Sequence, residues 1–134
     1  MTLSDLQGHY QNLVLLEEAE TALKDIRDIQ AVNYDRVQGN SVELHRQTEA
    51  KALLIEKQQQ RVRELQYIID EFKREQLQPF FDEVDKADDI KLWNYLYMRY
   101  AGGYRWAEIA DFFHDSTDAV KSRCARYLRT HLQK

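Results

Sequence analysis

The side chains best suited to chemistry crowd the carboxyl-terminal end of this chain. Thr117, Asp118, Lys121 and Ser122 place donors and acceptors within two helical turns of one another. Arg123, Arg126, Arg129 and Lys134 follow as cationic heads, and Arg105 stands a short way upstream. On a helix lying in a groove of duplex nucleic acid, the first group would reach base edges and the second would neutralise phosphates. Asp118 is unfavourable to the backbone but can accept a hydrogen bond from a cytosine amino group. The same pattern also suits a solvated basic face on a small three-helix bundle.

Other chemistry has no comparable foothold, and neither a catalytic site, a metal nor a cofactor is expected. His9, His45, His114 and His131 are scattered, without a Cys/His spacing that suits zinc. Gly102-Gly103 lacks the spacing and the following Lys-Ser/Thr of a phosphate-cradling loop. Cys124 falls on the inward side of a helical pattern and reads as packing, not as a nucleophile. Trp93 and Trp106 read as core. A lone cysteine forms no internal disulfide, which fits a reducing compartment. With neither a basic leader nor an apolar run of roughly 20 residues, a cytoplasmic chain without membrane contact is expected.

The charge is unevenly placed. Net charge is −4, yet residues through Met98 carry 12 Lys/Arg against 19 Asp/Glu, and those from Arg99 carry 7 against 4. A basic tail on an acidic body raises the case for a polyanionic partner.

Four glycines and one proline in 134 residues leave little room for a many-turned β-protein, so an all-α fold of long helices is expected. Leu6, Tyr10, Leu13, Leu16, Leu23 and Ile26 mark one helix from about Leu3 to Val32. The segment from Asn33 to Ser41 breaks that pattern. Gly39-Asn40-Ser41 is the tight connection, with Asn40 or Ser41 capping the next helix. That second helix runs from about Val42 to Leu77. Its heptad seam of Ile55, Gln58, Val62, Leu65, Ile69 and Phe72 is broadened by Leu54 and Ile68. The two helices fit either an antiparallel, coiled-coil-like hairpin or pairing with another copy, and a plain three-helix core fits as well.

Pro79 is the clearest punctuation, and the domain boundary is placed there: residues 1–78 as an interaction hairpin, 79–134 as a second domain. Phe80 and Phe81 are expected to pack that domain against the hairpin. Beyond the acidic stretch 82–89, three helices are expected. The first spans about Asp88–Tyr100, with Ile90, Trp93, Leu96, Tyr97 and Tyr100 inward, and stops at Gly102-Gly103. The second, about Arg105–Phe113, buries Trp106, Ile109, Ala110 and Phe113. The third starts after an Asp115 or Ser116 cap, with Val120, Cys124 and Leu128 inward and Tyr127 flanking. A short helix, a tight turn and a longer polar helix make the helix-turn-helix arrangement.

The stretch from Trp106 through Ser116, with Val120 and Leu128, resembles region four of bacterial sigma-70 factors. The whole chain is similar to small late-gene regulators of phages of Gram-positive bacteria, the RinA/ArpU-like families. The wider likeness includes the amino-terminal helical pair, Tyr34-Asp35-Arg36-Val37-Gln38-Gly39, and Arg99-Tyr100 before Trp106. The resemblance implies a transcription regulator that places Thr117, Asp118, Lys121 and Ser122 on base edges. Arg105, Arg123, Arg126 and Arg129 then face phosphates. Double-stranded DNA is the implied partner. One such module on an acidic body binds weakly alone, so contact with RNA polymerase or homo-oligomerisation through the heptad seam of the amino-terminal helices is expected to supplement it. Arg123 departs from the sigma pattern, which has an aliphatic residue there; it implies a rotated third helix or a reach to phosphate. A Myb-like domain also fits Tyr100 to Trp106 and the run Val120-Lys121-Ser122-Arg123. Two further functions share the fold: a protein-interaction adaptor that touches no DNA, and a DNA-packaging small-subunit protein.

Overall fold

The computed structural model describes the backbone of residues 1–36 and 41–132, and the side chains of 1–28 and 46–132. Helices account for nearly all of it, and no strand occurs among the described residues. The chain is all-α. In order come α1 (Leu3–Arg36), α2 (Ser41–Phe72), a π-helical turn (Lys73–Leu77), α3 (Gln78–Asp85), α4 (Ile90–Tyr100), α5 (Trp106–Phe113) and α6 (Thr117–His131). No described helix is long and apolar enough to cross a membrane.

The start of α1 is fixed by a reciprocal cap. The Thr2 amide donates to Asp5 Oδ2 at 3.0 Å, and the Asp5 amide donates to Thr2 Oγ1 at 3.1 Å. These bonds hold the Asp5 carboxyl below its ordinary range. α1 continues through Arg36, four residues past the expected end at Val32. The expected Gly39-Asn40 connection lies outside the described residues, as do residues 37–38 of the resembling loop and Lys134. Of Tyr34, Asp35, Arg36 and Ser41 only the helical backbone is described.

Pro79 does not end a helix. The Gln78 amide donates to the Lys73 carbonyl, which widens one turn to π spacing. Pro79 then sits in the first turn of α3, where its missing N–H costs least. The chain forms two compact units: one comprises residues 1–14 and 68–134, the other residues 15–67. The first half of the acidic stretch 82–89 belongs to α3, whose Phe80, Phe81 and Val84 are buried.

The core of the first unit gathers Leu6 and Tyr10 from α1, Leu77, the α3 trio, and Leu92, Tyr95, Leu96 and Tyr100 from α4. Ile109 and Ala110 of α5 and Val120, Cys124, Tyr127 and Leu128 of α6 complete it. Each fully buried aliphatic side chain contributes about 1.5–3 kcal/mol over exposure. Leu96 and Tyr100 are inward as expected, but Ile90 is 76% exposed and Tyr97 48%. α3 explains the difference. Its Phe81 meets Trp93 and Tyr97 at ring distances of 5.7 and 5.6 Å, so these two form an outer aromatic layer while Leu92 and Tyr95 fill the centre. Tyr127, expected to flank the core, lies in it, edge-on to Phe80.

In the second unit, Ala19 and Leu65 are the buried side chains among those described. Ile55, Gln58 and Val62 of the expected seam are half-buried, and Leu54 is exposed.

Candidate nucleic-acid interface

Three contacts fix the pair α5–α6. Ser116 is the N-cap of α6, its Oγ accepting from the Ala119 amide at 3.1 Å. His114 closes α5 in a left-handed conformation (φ 57°), and the Asp115 amide donates back to the Ala110 carbonyl at 2.9 Å. The Tyr95 hydroxyl of α4 donates to the Asp115 carboxylate, tying the turn to the core. Burial, and then that carboxylate, push the Tyr95 hydroxyl up to about 12. Ala110, 2% exposed, leaves the space in which the two helices approach.

At 3.6 residues per turn, Val120, Cys124, Tyr127 and Leu128 form the inward side of α6 and Asp118, Ser122, Arg126 and Arg129 the middle of its outward arc. The sequence-predicted residues do not share one surface. Thr117 is half-buried at the start of the helix, whereas Asp118 and Ser122 face solvent. Lys121 lies on one flank, in the wall of a groove shared with the first turns of α1. Arg123 lies on the opposite flank, with Nη2 and Nε donating to Asp89 Oδ2 at 2.6 and 3.2 Å. The other Asp89 oxygen accepts from the Leu92 amide and caps α4. Asp89 is held below the usual carboxylate range by Arg123 above all, and Arg123 is raised in return. Arg123 thus has a carboxylate partner, while Val120, Cys124 and Leu128 keep the expected inward register. Arg105 is similarly engaged, its Nε 2.9 Å from Glu108 Oε1. Exposed pairs of this kind are worth about 0–1 kcal/mol and exchange partners readily.

Two contributors escaped the sequence reading. His9 is 2% exposed; its Nε2 lies 2.7 Å from the Tyr100 carbonyl, and its ring stacks on Phe72 at 4.4 Å. Burial lowers its pKa, so the neutral ring donates through Nε2 while Nδ1 has no partner. Arg99 is the second. Its guanidinium carbon lies 3.4 Å from the Tyr10 ring centroid and 4.5 Å from that of Trp106, and Nη1 donates to the Tyr104 carbonyl at 3.2 Å. Together they fasten the first turns of α1 to the end of α4. The only sequence signal was a histidine one position before Tyr10 on an otherwise apolar face.

The Gly102-Gly103 turn completes that junction. Gly103 has φ 75°, and a Cβ there would sit 3.2 Å from Leu13 of α1; at Gly102 it would strike the Tyr104 ring at 2.7 Å. Cys124 is buried, its thiol pushed up to about 12 by desolvation. No group of three or more His, Cys, Asp or Glu side chains is poised to hold a metal among the described residues. No protein-family model, curated protein or solved structure matches this chain.

Proposed function

We propose that this protein is a sequence-specific regulator of transcription that binds double-stranded DNA through α6, of the kind its phage-regulator-like sequence implies. The carrying observation is the outward arc of α6. It is solvent-exposed, flanked by cations, and held rigidly by a capped turn on a packed core. In this reading Asp118 and Ser122 face base edges, while Lys121, Arg126 and Arg129 meet the backbone. Arg105 and Arg123 reach phosphate by exchanging their carboxylate partners.

Fluorescence anisotropy of a labelled duplex at two salt concentrations tests the reading. Three to five neutralised phosphates, depending on whether Arg105 and Arg123 exchange partners, give a slope of log K against log salt of about −3 to −4.5 per subunit. Arg126→Ala is expected to weaken binding about tenfold or more, and Ser122→Ala to relax preference among duplexes selected from a random pool. Wild-type protein that binds no duplex at low salt would sink the proposal. A second reading, an adaptor that contacts polymerase or another protein and no DNA, is favoured by Phe112, 68% exposed on α5. That outcome of the titration, with a polymerase pull-down lost on Phe112→Ala, would select it.

A further inference from the structure

The groove between the first turns of α1 and the flank of α6 has a volume of about 740 Å³ and lies within one compact unit. Its α6 wall carries Lys121 and Arg129, eight residues and so about 12 Å apart along the helix. Its α1 wall carries Ser4, Gln7, Gly8 and Gln11, one neutral polar stripe at helical spacing. Arg99 adds a third cation at the floor. Among the described residues no carboxylate lines the groove, although the chain holds 23. The nearest one on α1, Asp5, is turned back onto Thr2.

Gly8 supplies an independent observation. Glycine inside a helix costs about 1 kcal/mol relative to alanine, and is ordinarily repaid by a close neighbour. At Gly8 a Cβ would meet nothing within 4 Å, so no internal packing repays that cost. The missing side chain leaves the backbone of α1 bare where it borders the groove.

We infer that this groove seats the phosphodiester backbone of bound DNA, so that the first turns of α1 belong to the DNA-binding surface. Lys121 and Arg129 neutralise phosphates from one wall. Ser4, Gln7 and Gln11 donate hydrogen bonds from the other, with the strand passing close over Gly8. A helix laid in the major groove has a phosphate backbone along each flank, and this groove is the flank on the α1 side. The positive wall, the absence of carboxylates and the bare glycine together favour this polyanion over other occupants. The inference rests on the DNA-binding reading above, and the two fail differently.

Full-length wild type, Gly8→Glu, Gly8→Gln and Arg126→Ala are titrated with a labelled non-specific 30-base-pair duplex at low and moderate salt. Phosphate contacts are independent of sequence, so no operator is needed. Gly8→Glu is expected to weaken binding about tenfold and make the salt slope shallower by about 1, with Gly8→Gln losing less. Circular dichroism confirms that all variants stay helical. Wild-type affinity in Gly8→Glu, with binding still weakened by Arg126→Ala, would overturn the groove and leave the α6 reading standing. No duplex binding by wild type would overturn both. A dimer that Gly8→Glu dissociates, with DNA affinity unchanged, would assign the groove to a second copy and also overturn the inference.

Discussion

The two compact units bury their apolar side chains very differently. In the unit built from residues 1–14 and 68–134, aromatic and aliphatic groups from every helix interlock, and Leu6, Leu96, Ile109, Val120 and Cys124 are fully enclosed. In residues 15–67, the buried side chains among those described are Ala19 and Leu65, neither fully enclosed, while Leu53 and Tyr67 stand 58% and 68% exposed. Stability in small domains follows buried apolar area. Among the described residues, most of the buried apolar surface therefore lies in the first unit. The candidate interface is also on that rigid unit, where side-chain positions are over-determined.

The largest effect expected from this contrast is in the core. Leu96→Ala removes a fully buried side chain and is expected to cost about 2–5 kcal/mol, whereas Leu54→Ala in the exposed part of α2 should cost under about 1 kcal/mol. Chemical denaturation followed by circular dichroism measures both. Similar losses at the two positions would erase the distinction between the units. The exposed apolar residues of α2 sharpen it further. If copies of the chain pair along Leu53, Leu54 and Tyr67, the apparent melting temperature rises with protein concentration. Leu54→Lys is expected to remove that dependence.

Titration probes the first unit through its buried groups. His9, Tyr95, Tyr100 and Cys124 all lie in it, and each has its neutral form favoured by burial. For His9 the folded pKa lies below the unfolded one. Its contribution is complete above about pH 6.5 and is lost as pH falls through the folded value. Tyr95, Tyr100 and Cys124 are raised to about 12 in the folded chain. Their contributions are present below the unfolded values, near 9 for the thiol and 10 for the phenols, and disappear as pH climbs toward 12. Stability should therefore fall on both sides of a plateau from about pH 7 to 9. His9→Gln is expected to flatten the acid limb specifically. An acid limb unchanged in that variant would remove His9 from its cause. The Cys124 thiol should stay unreactive toward a disulfide reagent until the chain is unfolded.

How much of this was legible beforehand follows from which interactions are local. Helical periodicity exposed the inward residues of α6, because Val120, Cys124 and Leu128 repeat within one element and face a single core. The cap at Ser116 and the stop at Gly102-Gly103 are likewise local and stand where the residue types place them. α4 was misread because its two apolar faces are both used, one against the core and one against Phe81, and a sequence shows only that both are apolar. Pro79 suggested a break because a π turn, set by the register of the preceding backbone, leaves no mark in residue type. The groove beside α6 was invisible for a different reason. Its walls lie more than a hundred residues apart in the chain, and they are brought together by tertiary contacts such as the shared core and the His9–Tyr100 and Arg99–Tyr10 pairs.

The smallest expected effect separates structure from binding at Arg123. Asp89 is shared between the cap of α4 and this guanidinium, with side-chain exposures of 30% and 47%. Such exposure screens the pair, so the coupling energy in an Asp89→Asn/Arg123→Ala cycle should be under about 1 kcal/mol. Asp89→Asn retains a capping oxygen and isolates the ion pair from the cap. If Arg123 also meets phosphate when DNA is bound, Arg123→Ala weakens duplex binding by more than it destabilises the fold. Asp89→Asn, which frees the guanidinium, then strengthens binding and steepens the salt slope. A purely structural Arg123 would instead leave duplex affinity unchanged in both variants. The opposite responses of two partners in one ion pair thus distinguish a latch between α4 and α6 from a cation held in reserve for the backbone.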